Sequence, residues 1–158
     1  MIAAPQRETD ILPLVKPHTV VALDDEVSTL AALRRSLRGE PYDLLTAEDP
    51  QQVLSWIAIR DVSIVISDQR MPDMEGTELL VEVRQRSPRT TGVILTAYPE
   101  SLRMDSALKS LIRWVILKPW DDLWLRRTVR HLLRERELSR FHDSKDSEGF
   151  EPDVGGES

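Results

Sequence analysis

The sequence predicts an α/β domain built on a doubly wound, five-stranded parallel sheet, and three observations support this prediction. Short apolar runs rich in β-branched residues recur five times between residues 19 and 117. A helical stripe of apolar residues follows each run. The connections are short, which favours right-handed crossovers and a parallel sheet with helices on both faces. The predicted domain covers residues 18–135.

Four of the five predicted strands are almost continuously apolar, which is typical of strands covered by helices on both faces. The predicted strands are Thr19–Leu23, Tyr42–Ala47, Val62–Ser67, Gly92–Thr96 and Trp114–Leu117.

The predicted helices repeat their apolar residues three or four positions apart, as the buried face of a helix requires. Their stripes are Leu30–Leu37, Val53–Ile57, Leu79–Val83, Met104–Leu111 and Leu125–Leu133. Gly39 is expected to end the first helix, because glycine readily adopts the left-handed conformation found there. Residues 121–141 are enough for one final helix of about 32 Å, at a rise of 1.5 Å per residue.

Both ends of the chain differ in composition from the predicted domain. Residues 1–17 contain three prolines and no periodic pattern, which predicts a flexible lead-in. Residues 136–141 are predicted to be a charged helix extension, either a solvated helix end or a helix for a dimer or partner. Residues 142–158 are acidic and rich in glycine and serine, which predicts disorder.

Composition excludes several classes of site. The chain has no cysteine, so disulfides, thiolate metal sites and thiol nucleophiles are excluded, and its three histidines are too scattered for a histidine metal cage. No apolar run approaches the roughly 18 residues that span a bilayer, and the first residues lack a signal-peptide pattern. The net charge of −6 offers no basic face overall. We therefore expect a cytoplasmic protein that contacts neither membrane nor nucleic acid directly.

Polar residues follow four of the predicted strands. Asp24 and Asp25 come directly after the first strand, Asp68 follows the third, Thr96 ends the fourth, and Lys118 follows the fifth. Ligands of doubly wound sheets bind beyond the carboxyl ends of the strands, near the point where the strand order reverses. We therefore expect these side chains to share one edge of the sheet.

Electrostatics predicts what such a cluster binds. Two carboxylates about 4–5 Å apart repel each other by roughly 3–4 kcal/mol at an effective dielectric constant near 20. Lys118 supplies one cation, which cannot neutralise three carboxylates. Mg²⁺ prefers oxygen ligands and is often bound by one or two carboxylates together with phosphate oxygens. The set therefore predicts a Mg²⁺–phosphoryl site, with the Thr96 hydroxyl and the Lys118 ammonium on phosphoryl oxygens.

Four stretches carry a resemblance to a known family. They are VALDDE (residues 21–26), SDQRMPDMEG (67–76), LTAY (95–98) and LKPW (117–120). Together they resemble the receiver domain of bacterial two-component response regulators, the CheY-like family, over residues 19–133. The resemblance implies a flavodoxin-like (βα)₅ receiver fold and a phospho-accepting signalling domain. Such a domain is not an enzyme beyond its own phosphotransfer and autodephosphorylation.

The resemblance also implies roles for individual residues. Asp68 corresponds to the aspartate that accepts a phosphoryl group from a phosphohistidine. Asp25 and Asp68 would bind Mg²⁺ together with the backbone carbonyl of Arg70, and Asp24 would act through a metal-bound water. The hydroxyl of Thr96 would move onto the phosphoryl group.

Lys118 would pair first with the aspartate and then with the phosphate. The family pattern further implies a cis peptide bond between Lys118 and Pro119.

The expected partners are a sensor histidine kinase or phosphotransfer protein and an unknown downstream protein. A homodimer through the fourth helix, fifth strand and fifth helix is a further expectation. Two alternatives stay open: the receiver portion of a larger regulator with an HD-GYP or transcriptional output domain, and a pseudo-receiver scaffold that is never phosphorylated. A haloacid-dehalogenase-type phosphatase fits poorly, because Arg70 stands where that family needs a second aspartate.

The sequence departs from the family pattern at a few positions. Val115 stands three residues before Lys118, where the family usually has tyrosine or phenylalanine, and Trp114 precedes it. Trp114 is therefore either a replacement for the switch aromatic or an interface residue. In the family that this sequence resembles, the positions of Arg70 and Tyr98 flank the path of the hydrolytic water. Either these bulky side chains prolong the life of the phosphoryl group, or both point into solvent.

Overall fold

Five parallel strands form one sheet, as the sequence predicts. The computed structural model describes residues 18–147. The strands are β1 (Thr19–Leu23), β2 (Asp43–Ala47), β3 (Ile64–Asp68), β4 (Thr91–Thr96) and β5 (Ile112–Leu117). They lie in the order β2-β1-β3-β4-β5. The chain therefore reverses its direction of strand addition after β2, which opens a crevice at the carboxyl ends of β1 and β3.

Helices cover both faces of this sheet. They are α1 (Val27–Ser36), α2 (Pro50–Ile59), α3 (Gly76–Arg86), α4 (Ser106–Leu111) and α5 (Asp122–Ser147). One apolar cluster joins α1 and α5 to the sheet, and a second joins α2, α3 and α4 to the other face. Helix α1 ends at Ser36, slightly before the predicted stop, and the turn that follows passes through Gly39 at a φ of 80°.

The inner strands explain the continuous apolar runs. Along β1, Val20 and Ala22 face α1 and α5, whereas Val21 and Leu23 face α2 and α3. All four residues are buried. Side chains alternate between the faces of a strand, so a strand covered on both sides needs apolar residues at every position. This packing holds the carboxyl ends of the strands in fixed register.

The fourth helix is shorter than its apolar stripe predicts. The stripe begins at Met104, but α4 begins at Ser106. Asp105 caps this helix, because its side chain accepts a hydrogen bond of 2.9 Å from the N–H of Leu108. Met104 still packs against the apolar cluster without being helical.

The prediction of disorder from residue 142 onward is wrong for residues 142–147, which continue α5. The composition rule weighs apolar burial, whereas an existing helix is extended by backbone hydrogen bonds without a new nucleus. Polar contacts add to this: Asp143 accepts a hydrogen bond of 2.9 Å from Arg89, and the Ser144 hydroxyl bonds the Arg140 carbonyl. The expectation of a solvated helix end fits most of the extension, since residues 137–144 are exposed, and Arg136 is the buried exception.

The predicted lead-in (1–17) and the last part of the predicted tail (148–158) lie outside the described residues. Between residues 18 and 147, no helix combines the length and the apolar character needed to cross a membrane.

Candidate functional site at the carboxyl edge of the sheet

Three carboxylates meet at the crevice. Asp24 and Asp25 follow β1, and Asp68 ends β3, the neighbouring strand. One oxygen from each lies within 4.8 Å of the others. Asp24 is fully buried, Asp68 is 8% exposed, and Asp25 is exposed. The structure therefore brings together the carboxylates that the sequence assigns to one site.

Lys118 reaches the cluster from the end of β5. Its Nζ donates hydrogen bonds of 2.8 Å to Asp24 Oδ2 and 3.0 Å to Asp68 Oδ1. The other oxygen of Asp24 accepts a hydrogen bond of 2.8 Å from the N–H of Glu26. The Lys118–Pro119 peptide bond is cis, as the family resemblance implies. One ammonium thus bridges two carboxylates, and Asp25 has no part in that bridge.

This surplus of negative charge affects the titration of both partners. Burial raises the pKa of Asp68 above its ordinary value, and the charges of Asp24 and Asp25 add to the rise against the opposing hydrogen bond from Lys118. Burial acts to lower the pKa of Lys118, but its hydrogen bonds to Asp24 and Asp68 outweigh this effect and raise it. Lys118 therefore stays charged, whereas the ionised form of Asp68 lowers the stability of the folded chain.

Thr96 ends β4, the strand beside β3, and is buried. Its hydroxyl accepts a hydrogen bond of 3.0 Å from the N–H of Tyr98. Its carbonyl accepts another of 2.9 Å from the N–H of Lys118. The backbone therefore ties the ends of β4 and β5 together at the same edge as the carboxylates.

The loop after Asp68 depends on two residues that sequence reasoning did not assign to the site. A Cβ at Gly76 would overlap the carbonyl oxygen of Asp68, so only glycine fits without a shift of this backbone. The side chain of Gln69 accepts a hydrogen bond of 3.0 Å from the N–H of Thr77 and donates one of 3.2 Å to its hydroxyl. Both lie in the quoted stretch 67–76, but their roles depend on distances that no spacing reveals.

The family pattern of the response regulator receiver domain matches residues 20–130. The chain belongs to this family. Its five-stranded sheet and five helices are those of the flavodoxin-like receiver fold. The family assignment made from the quoted stretches is therefore confirmed.

Related proteins are regulators that are several times longer than this receiver. The hydrogenase transcriptional regulatory protein HoxA of Cupriavidus necator is 34% identical over 124 residues, which are 78% of this chain and 26% of HoxA. The transcriptional regulatory protein ZraR of Klebsiella oxytoca is 31% identical over 120 residues, which are 76% of this chain and 27% of ZraR. The chain thus spans about a quarter of the length of these relatives.

Solved structures agree with the assignment. The signal receiver domain of an HD domain-containing protein from Pseudomonas fluorescens Pf-5 is 30% identical, with a TM-score of 0.69 over 83% of this chain and 97% of that one. A CheY-like receiver domain protein from Methanospirillum hungatei JF-1 is 22% identical, with a TM-score of 0.66 over 77% of this chain and 98% of that one, and shares the fold.

Val115 and Trp114 lie on different faces of β5. Val115 packs into the cluster with α2, α3 and α4, whereas Trp114 packs into the cluster with α1 and α5. The ring of Trp114 lies 6.4 Å from that of Trp124 on α5. Side chains alternate along a strand, so Thr96 lies on the same face of β4 as Ile94. Trp114 lies on the opposite face of the sheet. Trp114 is thus placed as a packing residue.

Arg70 and Tyr98 contact each other. The guanidinium carbon of Arg70 lies 4.7 Å from the centre of the Tyr98 ring, within the range of a cation–π interaction. Tyr98 is 52% exposed and Arg70 is exposed. The pair borders on solvent, and its two side chains form one contact between the loops that carry Asp68 and Thr96. A longer phosphoryl lifetime stays a prediction.

The raised pKa of Asp68 predicts how stability depends on pH in metal-free buffer. A group whose folded pKa lies above its unfolded pKa loses stabilising free energy as pH rises through the folded value. The variant Asp68→Asn removes this loss, so we expect its free energy of unfolding to exceed that of wild type at pH 7. The difference should shrink as pH falls toward the ordinary Asp value of 3.8.

Urea unfolding at several pH values measures this difference. The matched control is Asp73→Asn, an exposed carboxylate in the same loop. Greater stability of wild type than of Asp68→Asn at pH 7 would contradict the description of the cluster.

Proposed function

We propose that this receiver accepts a phosphoryl group from a sensor histidine kinase onto Asp68 in a Mg²⁺-dependent reaction, and signals by changed protein docking. One observation carries the proposal: three carboxylates lie within 4.8 Å of one another, and the Lys118 ammonium contacts two of them. An arrangement of this kind favours a divalent cation and a reaction at a carboxylate oxygen.

The donor set fits Mg²⁺. In this proposal Asp25 and Asp68 hold the ion together with the backbone carbonyl of Arg70, and Asp24 acts through a water molecule on the ion. When bound, Mg²⁺ supplies positive charge that offsets the repulsion among the carboxylates and draws in phosphoryl oxygens. The partial exposure of the site suits an ion that keeps several waters.

Phosphoryl transfer uses Asp68 as the nucleophile. An oxygen of Asp68 attacks the phosphorus of a phosphohistidine, the P–N bond breaks, and an acyl phosphate forms on the carboxylate. The electron pair of the broken bond stays with the imidazole. The other ring nitrogen already carries a proton in the phosphoimidazolium form, so the histidine leaves as the neutral ring. Asp68 needs no base to activate it, since its carboxylate is already the reactive form. Catalysis here consists of positioning and charge neutralisation.

Lys118 and Thr96 respond to the new phosphoryl group. The Lys118 ammonium keeps its bond to buried Asp24 and turns its bond to Asp68 toward a phosphoryl oxygen. The Thr96 hydroxyl gives up its contact with the Tyr98 N–H and donates to another phosphoryl oxygen. The N–H of Lys118 donates a hydrogen bond to the carbonyl of Thr96 and so joins the ends of β4 and β5. A movement of Thr96 is therefore passed to the end of β5.

The surface formed by α4, β5 and α5 is the proposed docking face. Leu117 at the end of β5 is 51% exposed, and Leu123 and Trp124 at the start of α5 are 51% and 40% exposed. Exposed apolar side chains on either side of Lys118 in the chain suit a partner protein or a second receiver. A homodimer through this face is part of the proposal.

A second candidate function is the receiver portion of a larger regulator. It is favoured by the length comparison, since HoxA and ZraR extend far beyond the part that this chain matches. Their names describe transcriptional regulation, and the Pseudomonas fluorescens domain comes from an HD domain-containing protein. The phosphoryl-accepting role of Asp68 is the same in both candidates, whereas a pseudo-receiver lacks it.

Incubation with acetyl phosphate and Mg²⁺ tests the phosphorylation directly. We expect the intact mass of the wild-type chain to increase by one phosphoryl group, and chelation of Mg²⁺ to prevent the increase. Asp68→Asn should stay unmodified, and the matched variant Asp73→Asn should be modified like wild type. An unmodified wild-type chain, or an Asp68→Asn variant that is still phosphorylated, would rule out the proposed acceptor.

The Arg70–Tyr98 contact predicts a long-lived acyl phosphate. Because the pair borders the path that we propose for the hydrolytic water, Arg70→Ala and Tyr98→Ala should each shorten the phosphoryl lifetime several-fold. The double variant should do little more than either one, since the two side chains act as a unit. The decay of the phosphorylated mass measures this, with exposed Arg103→Ala as the control. An unchanged phosphoryl lifetime in both single variants would contradict this prediction.

A further inference from the structure

A cavity lined by several charged side chains lies at the opposite, amino-terminal edge of the sheet. It has a volume of about 300 Å³ and is bordered by the start of β4, β5 and the outer half of α5. Thr91 at the start of β4 lines it, and Thr96 at the other end of that strand belongs to the phosphoryl site. Five residue steps of about 3.3 Å separate the two by roughly 16 Å. The cavity is therefore not part of the site described above.

Arginines dominate this cavity, and they come from three separate elements. They are Arg89 before β4, Arg113 on β5, and Arg136 and Arg140 on α5. Arginine groups from different elements that converge on one space are typical of sites for phosphate or carboxylate, because the planar fork donates two hydrogen bonds at once.

The carboxylates near these arginines do not balance them. Arg113 binds Glu135 through two hydrogen bonds of 2.6 and 3.1 Å, and Arg89 binds Asp143 at 2.9 Å. Among the described residues, Arg136 and Arg140 both contact the carboxylate of Asp61, at 2.7 and 3.5 Å. Among the side chains of residues 18–144, four guanidinium groups of the cavity therefore contact three carboxylates.

Arg136 is the member of this group that burial affects most. Its side chain is only 6% exposed, whereas its partner Asp61 is 57% exposed and lies 2.7 Å away. Its Nη1 donates to the carbonyl of Arg89, and its buried Nε has no hydrogen-bond partner among the described residues. A buried charge with incomplete compensation is costly, and an added anion reduces that cost.

The titration of Arg136 is consistent with this shortage of negative charge. Burial lowers the pKa of Arg136, and the like charges of Arg140 and Arg89 add to the effect against the attraction of Asp61.

We propose that this cavity binds a small phosphate-bearing anion, held by the guanidinium groups of Arg89, Arg136 and Arg140. A tetrahedral phosphate presents oxygens in several directions. It can therefore accept hydrogen bonds from three guanidinium groups that approach from the loop before β4 and from α5. None of the described residues that line the cavity is aromatic, so it offers a nucleobase no ring to stack on. The nearby carboxylates of Glu135 and Asp143 disfavour a long polyanion. A compact ligand is therefore the better fit.

Occupancy would act on α5. Arg136 and Arg140 lie on the outer half of this helix, and Arg89 lies on the loop before β4. A ligand that binds all three joins the helix to the sheet, and it stabilises the folded chain by mass action. The site would thus give α5 a second input, separate from phosphorylation of Asp68.

An NMR titration of the full chain with inorganic phosphate and with pyrophosphate tests the proposal, in metal-free buffer at constant ionic strength. We expect saturable shifts of the backbone amides of Arg89, Thr91 and Ser139 at millimolar anion, and none with chloride alone. Shifts confined to the amides of Asp68 and Thr96, or shifts that never saturate, would overturn the proposal.

Variants sharpen this test without disturbing the buried Arg136. Arg140→Ala and Arg89→Ala change exposed side chains, and each should weaken binding about tenfold through loss of a charge-assisted contact. Arg38→Ala removes an exposed positive charge elsewhere and should leave the affinity unchanged. Glu135→Gln removes a repelling carboxylate and should tighten binding. If Arg38→Ala and Arg140→Ala weaken anion binding equally, the anion responds only to the overall charge of the protein, and the proposed site is refuted.

Discussion

Repulsion among three carboxylates at one edge of the sheet is the constraint on which this receiver depends. Asp24 is fully buried and Asp68 nearly so, and the single ammonium of Lys118 is divided between them. Such a cluster is tolerated only because β1, β3 and β5 are fixed in register by apolar packing on both faces. The stability of the core thus holds together a site that is itself electrostatically unfavourable.

The same constraint links the site to the rest of the molecule. A phosphoryl group on Asp68 would alter the partners of Lys118 and Thr96, and a backbone hydrogen bond joins the ends of the strands that carry them. Directly beyond lie the exposed apolar residues at the start of α5. The far end of that helix carries the arginine cavity at the opposite edge of the sheet. Helix α5 therefore carries part of the proposed docking face at its start and lines the arginine cavity with its outer half.

Much of this arrangement is predictable from the sequence, because parallel strands bring their carboxyl ends together whatever the loops between them. That rule alone places Asp24, Asp68 and Lys118 at one edge. Other features depend on three-dimensional contacts that periodicity does not encode. The overlap that forbids a side chain at Gly76 arises from the Asp68 carbonyl, and the extent of α5 depends on polar contacts such as that between Arg89 and Asp143.

Calorimetric titration of the metal-free chain with Mg²⁺ measures whether the three carboxylates form a cation site. We expect one ion per chain, with binding lost in Asp25→Asn and retained in Asp73→Asn. A wild-type chain that takes up no ion, or an Asp25→Asn variant that binds Mg²⁺ as well as wild type does, would contradict this expectation.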